Sequence, residues 1–251
     1  MKFIGIIPAR YESSRFPGKP LVDICGKSMI ERVYCQASKE LDRVYVATDD
    51  DRIAQAVKDF GGNVVMTSRH HKSGTDRCYE AVCAVGGDAD VVINIQGDEP
   101  FVSPAQIAEL KACFNDENTR LATLVREFDP ANGFETLFDP NTPKVVFDNN
   151  MNALYFSRSI IPYVRNYEWK EWVNKARFYT HVGMYAYTKD TLSAITALPQ
   201  SSLEIAESLE QLRWLQNGFK IKVGVTDAET IGIDTPADLE KAIEFCKAHN
   251  L

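Results

Sequence analysis

Short apolar runs and amphipathic runs take turns through the first half of this chain, and that alternation is the tightest constraint on its fold. Residues 3–7 read as a strand, 28–40 as a helix, 43–47 as a strand and 52–60 as a helix. The order continues with a strand at 63–66, a helix at 74–85, a strand at 91–95 and a helix at 104–113. This βαβα order predicts the α/β class, a mostly parallel central sheet with helices on both faces. Ligands of such sheets sit outside the carboxyl ends of the strands. The loops that follow the strands are therefore where function is to be sought.

The first of these loops is cationic. The run Phe3-Ile4-Gly5-Ile6-Ile7 breaks at Pro8, and Arg10, Arg15 and Lys19 follow, interleaved with Ser13, Ser14 and Gly18. Two guanidinium forks and one compact ammonium suit a polyphosphate better than a lone carboxylate. The plain alternative is a solvated basic turn. Neither common nucleotide motif is present. Gly26-Lys27-Ser28 looks like the end of a P-loop, but Leu21 stands where its first glycine belongs, and no two glycines stand two residues apart as G-x-G-x-x-G requires.

Composition narrows the classes further. With 251 residues and 45% hydrophobic content, the chain can bury a large core. A net charge of −7 argues against a nucleic-acid partner, which calls for a broad basic surface. Cysteines 25, 35, 78, 83, 113 and 246 form no C-x-x-C pair and have no histidine at metal-ligand spacing. They read as reduced thiols of a cytoplasmic protein. The N-terminal apolar stretch ends at Pro8, too early for a signal-peptide core or a membrane span.

After about residue 120 the alternation weakens. Strands are expected at 121–128, 144–147 and 153–156, and an aromatic tract with Tyr163, Tyr167, Trp169 and Trp172 runs to Phe178. Such a tract serves an oligomer interface, a substrate cover or a second core. A helix at 202–217, a strand at 220–225 and a helix at 236–248 complete the chain.

Several side chains could carry chemistry. Asp98, in Gln96-Gly97-Asp98-Glu99-Pro100, follows a predicted strand, where a carboxylate makes sense if it holds Mg²⁺ against phosphate. Asp234, before Thr235-Pro236, is a second candidate, although a helix cap or turn is the ordinary role of either aspartate. Ser73-Gly74-Thr75-Asp76-Arg77 opens a helix and offers anion or carbonyl contacts, with a capping box as the alternative. Alternation puts His181, Gly183, Tyr185 and Tyr187 on one strand face, as pocket lining or satisfied core polar groups. Glu207, Glu210 and Gln211 occupy neighbouring helical positions, suited to a polyhydroxylated sugar or to a solvent face.

Taken together these segments resemble the 3-deoxy-manno-octulosonate (Kdo) cytidylyltransferases over essentially the whole chain. The resemblance is carried by Pro8-Ala9-Arg10-Tyr11 through Pro17-Gly18-Lys19-Pro20-Leu21, Ser73-Gly74-Thr75-Asp76-Arg77 and Gln96-Gly97-Asp98-Glu99-Pro100. It continues through Ala153-Leu154-Tyr155-Phe156-Ser157-Arg158, His181-Val182-Gly183-Met184-Tyr185, Leu209-Glu210-Gln211-Leu212-Arg213 and Asp234-Thr235-Pro236. Ala237 departs from the pattern, where the family usually carries glutamate, and alters a helix-start charge.

The resemblance implies a Rossmann-like nucleotidyltransferase fold, one domain over residues 1–251 with a small inserted dimerisation and substrate subdomain at roughly 120–195. It implies a homodimer, Mg²⁺ as cofactor, and CTP and Kdo as substrates, giving CMP-Kdo and pyrophosphate for lipopolysaccharide biosynthesis. Arg10, Lys19 and Asp98 would be catalytic. Ala9, Arg10, Arg15, Lys19, Ser73, Gly74 and Asp98 would bind the nucleotide, with Asp98 and Asp234 on the metal. Arg77, Gln96, Arg158, His181, Tyr185, Glu210 and Gln211 would bind the sugar acid, Arg158 through its carboxylate.

Overall fold

The structure, a computed structural model, describes residues 1–12, 16–229 and 231–249. In chain order its elements are β1 (Phe3–Ala9), β2 (Asp23–Ile24), β3 (Lys27–Ser28), α1 (Met29–Ala37), β4 (Val44–Thr48), α2 (Asp51–Asp59) and β5 (Val64–Met66). Then come α3 (Gly74–Val85), β6 (Val91–Asn94), α4 (Pro104–Ala112), β7 (Leu121–Glu127), β8 (Lys144–Phe147), β9 (Ala153–Ser157) and β10 (Tyr179–Thr188). The chain finishes with α5 (Lys189–Thr196), α6 (Ser202–Glu207), α7 (Gln211–Gln216), β11 (Lys222–Val225) and α8 (Pro236–Ala248).

Two compact units share these elements. The first comprises Met1–Ala108, Ala186–Thr196 and Glu229–Leu251, the second Glu109–Tyr185 and Ala197–Ala228. In the first unit the strands lie in the order β6-β1-β4-β5, all parallel, as the alternating pattern predicts. Ile4, Ile6, Ile7, Val46, Val91, Val92 and Ile93 are buried. That explains why these strands read as continuous apolar runs: both faces of a parallel sheet are covered. The chain moves outward from β1 to β4 and β5, then returns through α3 to β6 on the other side of β1. The order therefore reverses between β1 and β6, and such a switch point opens a crevice at the carboxyl ends of the two strands.

The second unit is more mixed. β11 pairs parallel with β7, while β8 lies antiparallel between β10 and β9. Its aromatic tract divides. Phe134, Leu137, Trp172 and Phe178 form a second buried cluster, whereas Phe138, Tyr163, Tyr167 and Trp169 remain exposed. The unit takes in 109–185 and 197–228, while 186–196 belong to the first.

The structure corrects one element. The single helix expected at 202–217 is two, because Ser208 adopts a left-handed φ of 51° between α6 and α7. The break lets the Glu207 carboxylate turn back to accept from the Ser157 hydroxyl at 2.7 Å and the Arg158 amide at 2.9 Å. Leucine spacing carries no sign of a break that one residue's φ creates. α5 and the small β2–β3 hairpin were also absent from the sequence reading, each too short for periodicity to reveal.

α6 and α7 are held together by a buried pair. Arg213 donates from Nε and Nη2 to the two Glu204 carboxylate oxygens at 2.9 and 2.7 Å, and Glu204 also completes the N-terminal capping box of α6 with Ser201. Removing one partner of such a pair leaves the other charge buried. Glu204→Ala is expected to destabilise the protein by about 3–5 kcal/mol in denaturant unfolding, and a loss under about 1 kcal/mol would show that the pair contributes little.

Candidate active site

The crevice between β1 and β6 in the first unit holds a cavity of about 510 Å³, within the range of small-molecule sites. Pro8, Ala9 and Arg10 enter from the end of β1, Gln96, Gly97 and Asp98 from the end of β6, and Ser73, Gly74 and Arg77 from the start of α3. Lys19 and Asp234 complete the lining together with Glu12, Pro20 and His71. Every residue assigned to the nucleotide or metal from the sequence is thus in one cavity, apart from Arg15, which lies outside the described residues.

The loops meet through close backbone approaches. A Cβ on Gly97 would stand 2.8 Å from the Pro8 carbonyl oxygen, and one on Gly74 would stand 3.3 Å from Pro8 Cγ. Glycine at these positions lets the loop after β6 and the head of α3 seat against the end of β1. The left-handed Gly18, φ 72°, packs against the Tyr11 ring and donates its amide to the Tyr11 carbonyl at 2.9 Å, closing the base of the cationic loop. On the outside, Arg52 stacks its guanidinium 3.3 Å from the centre of the Tyr11 ring.

Lys19 is the centre of the charge arrangement. Its ammonium donates to Asp98 Oδ2 at 2.8 Å and reaches Asp234 Oδ1 at 3.2 Å. Asp234 stays available for this because Thr235 takes the cap: its hydroxyl accepts from the Asp238 amide while Asp238 accepts from the Thr235 amide. The Asp98 carbonyl accepts from the Ile233 amide at 3.0 Å, fixing the 231–234 segment beside the loop that carries Asp98. One cation between two carboxylates leaves a net negative corner that can admit a divalent ion. Oxygen donors suit Mg²⁺, which is commonly held by one or two carboxylates together with substrate phosphates and water. Among the described residues no group of three or more metal-ligating side chains occurs, and a magnesium site of that kind needs none.

The lining also holds two arginines. Arg10 is exposed, Arg77 is buried, and their mutual repulsion together with the stronger effect of burial lowers the Arg77 pKa. Asp49 opposes this at 3.3 Å, and Arg77 also donates to the Thr67 hydroxyl at 2.6 Å. Arg77 therefore reaches the cavity with its guanidinium already braced. Ser73 caps α3 in a full capping box with Asp76, and the helix N-terminus at Gly74 adds a partial positive charge. Both the capping and the anion-site readings of this segment fit the same geometry. The Asp49–Asp51 run holds no metal-like cluster: Asp50 caps α2 and pairs with Arg52, and Asp49 belongs to Arg77. His71 makes a short contact with Glu80, a pairing the sequence reading did not assign.

The second unit contains the other residues assigned to the sugar acid. Arg158 donates to three backbone carbonyls, Glu207 and Pro140 at 2.6 Å and Ser208 at 3.2 Å. Neutral carbonyls orient the guanidinium without cancelling its charge. Beside it Lys144, fully buried, donates to the Asp139 and Thr142 carbonyls, and burial lowers its pKa. No sequence pattern distinguished this lysine from a surface one. Glu210 lies 3.4 Å from Arg213, and the buried Gln211 Nε2 makes no hydrogen bond among the described residues.

His181 packs between the Phe156 and Tyr185 rings, and its Nε2 lies 3.0 Å from the Thr123 hydroxyl. Thr123 has one proton, and it goes to the Met184 carbonyl at 2.8 Å. His181 Nε2 must then be the donor, which leaves Nδ1 as an acceptor. Burial pushes the ring down to about 3, so it is neutral at pH 7. Because the folded pKa lies below the unfolded one, the stability tied to this neutral ring is present above the unfolded value and declines as pH falls below it. The His181 ring-proton NMR shift is expected to stay flat from about pH 8 to about pH 5; a midpoint near the ordinary value of about 6.5 would show that the ring is solvated.

Comparison with known proteins accords with this geometry. The family model described as Cytidylyltransferase matches residues 4–221. A 3-deoxy-manno-octulosonate cytidylyltransferase of Parabacteroides distasonis is 63% identical over 246 residues, 98% of this chain and 98% of its own length. One of Bacteroides thetaiotaomicron is 62% identical over 98% of this chain and 99% of its own. Among solved structures, CMP-2-keto-3-deoxy-manno-octonic acid synthetase complexed with CTP superposes with a TM-score of 0.90 at 45% identity, covering both chains fully. The 4-diphosphocytidyl-2C-methyl-D-erythritol synthase of Anaerococcus prevotii, 16% identical with a TM-score of 0.63 over 98% of this chain and 99% of its own, shares the fold alone. With a family match over most of its length and relatives this similar, the chain belongs to the cytidylyltransferases, in the group of the 3-deoxy-manno-octulosonate enzymes.

Proposed function

We propose that this protein transfers the cytidylyl group of CTP to the anomeric hydroxyl of Kdo, releasing pyrophosphate and forming CMP-Kdo for lipopolysaccharide biosynthesis. The observation that carries this reading is the ammonium of Lys19 held between Asp98 and Asp234 in a crevice also lined by Arg10, Arg77 and the head of α3. A polyanion fits the arginines, and a cation-assisted phosphate the carboxylate corner. CTP and Kdo are the substrates expected from the relatives' names and the CTP-bound neighbour.

In this reading Ala9 lies near the base, while Arg10, Arg15 and Lys19 hold the triphosphate beside Ser73 and Gly74. The sugar hydroxyl oxygen attacks the α-phosphorus; a new P–O bond forms as the bond to the β-phosphate breaks in line, and the hydroxyl proton leaves to solvent. Such transfers gain chiefly from positioning and charge stabilisation, so no covalent nucleophile is required. Asp98 and Asp234 hold Mg²⁺, which when bound lowers the pKa of the attacking hydroxyl and offsets charge on the leaving pyrophosphate. Arg10 and Lys19 counter the negative charge that develops on the phosphates, and Lys19 orients both aspartates. Gln96, Arg77, Arg158, His181, Tyr185, Glu210 and Gln211 bind the sugar acid. Arg158 takes its carboxylate, since carbonyl partners leave the guanidinium charge uncancelled, and neutral His181 Nδ1 accepts from a sugar hydroxyl.

Among the described residues no helix is long and apolar enough to cross a membrane, and the six cysteines are free thiols. Free thiols accord with a cytoplasmic setting. The exposed Phe138, Tyr163, Tyr167 and Trp169 support a homodimer, since a contiguous aromatic surface is characteristic of an interface core.

Purified protein with Mg²⁺ and CTP is expected to release pyrophosphate with Kdo and not with a sialic acid or without sugar; release with 8-amino-Kdo alone would reassign the substrate. Asp98→Asn should lower kcat by about 100-fold or more while CTP binding changes less, and a near-normal kcat would remove Asp98 from the reaction. Sedimentation equilibrium should return twice the chain mass of 28.2 kDa, with Tyr163→Asp shifting it toward the monomer; a monomeric wild type would overturn the dimer.

A further inference from the structure

The β2–β3 hairpin turns on Cys25 and Gly26, with Asp23 opposite Ser28 and Ile24 opposite Lys27. Both turn residues have positive φ, 50° at Cys25 and 82° at Gly26, as a two-residue turn of the primed type requires. Asparagine, aspartate or glycine takes the first such position at least cost; a cysteine there is held in a conformation that L-residues avoid. The turn also fixes where the thiol goes. Cys25 lies at the surface, and its Sγ is 3.9 Å from the Ile243 carbonyl on α8.

Three residues on from Ile243 along α8 is Cys246, close enough to Cys25 for the two thiols to interact. Cys246 is buried in an apolar cluster with Ile24, Met29, Phe101, Ile233 and Ala242. The exposed thiol is thus accessible to a small oxidant and the buried one is not. Arg32 braces the hairpin, donating from Nε to the Ile24 carbonyl at 2.7 Å and from Nη2 to the Cys25 carbonyl at 3.2 Å. Burial and the neighbouring thiol raise the Cys246 pKa, and the Arg32 guanidinium opposes them.

We propose that Cys25 and Cys246 form a peroxide-sensitive dithiol site that closes to an intramolecular disulfide, clasping the hairpin to α8. The oxidant is a hydroperoxide. Cys25 sulfur attacks one peroxide oxygen, the O–O bond breaks, and Cys25 sulfenic acid forms with release of one water when the oxidant is hydrogen peroxide. Cys246 sulfur then attacks the sulfenic sulfur; the S–S bond forms, the S–O bond breaks, and the departing hydroxide takes the Cys246 proton to leave as a second water. Two thiols are oxidised and one peroxide is reduced to two waters. Reduction by a dithiol restores both cysteines. Neither cysteine lines the nucleotide cavity.

The test treats full-length protein with hydrogen peroxide, blocks remaining thiols by alkylation and maps tryptic peptides. Trypsin releases Cys25 on residues 16–27, since Lys19 precedes a proline, and Cys246 on residues 242–247. A cross-link between these two peptides, reversed by dithiothreitol and absent in Cys25→Asn, is expected. The oxidised wild type should melt about 5–10 °C above the reduced form, and Cys25→Asn should show no such shift. Asparagine also accepts the turn's positive φ, so that variant should fold at least as stably as the reduced wild type. Oxidation of Cys25 to sulfinic acid without a cross-link, or a cross-link to another cysteine or between molecules, would overturn the proposal.

Discussion

A single ammonium shared by two carboxylates organises this molecule. Lys19, Asp98 and Asp234 come from three distant parts of the sequence, and each loop that carries one of them is shaped to bring it there. Gly18 bends the chain into Lys19, Gly97 lets the second loop lie against the Pro8 carbonyl, and Thr235 takes over the helix cap so that the Asp234 carboxylate is left for the lysine. Without the lysine the two carboxylates would repel one another across the mouth of the cavity, and without them the lysine would merely add to the charge of Arg10 and Arg77. Parallel strands supply the common edge on which the loops meet.

Much of this was legible in the sequence for identifiable reasons. Buried parallel strands leave continuous apolar runs, and Gly74–Val85 and Pro236–Ala248 announce themselves through serine or threonine caps with an acidic residue three positions after the cap. Loop residues of the first unit could be placed because a strand end fixes where the following residue emerges. What could not be read was partnership. That Thr235 and not Asp234 caps the last helix, and that Arg77 is buried and braced by Asp49 and Thr67, are matters of partners that spacing does not record. The broken helix at Ser208 escaped for the same reason: leucine spacing records which face is buried, not whether the backbone pauses.

The second unit shows the limit most clearly. Arg158 stood out by motif position, yet its three carbonyl partners and the buried Lys144 beside it are tertiary facts. Aromatic residues there looked alike in sequence and took different parts in the fold, Trp172 in a core and Tyr163 at the surface. Aromatic density predicts that something is packed, without saying which rings face inward.

The distance in sequence between Lys19 and Asp234, 215 positions, has a consequence for how the protein comes into being. Closing a long loop costs only slightly more entropy than closing a short one, so the separation hardly weakens the finished contact. It does set the order of events. The β1 edge and the Asp98 loop leave the ribosome well before the segment with Asp234 and the helix that follows it. A nascent chain therefore presents the arginines long before the second carboxylate arrives. The corner around Lys19 is thus completed 215 residues after the lysine itself is made, and until then its ammonium has only the Asp98 carboxylate to meet.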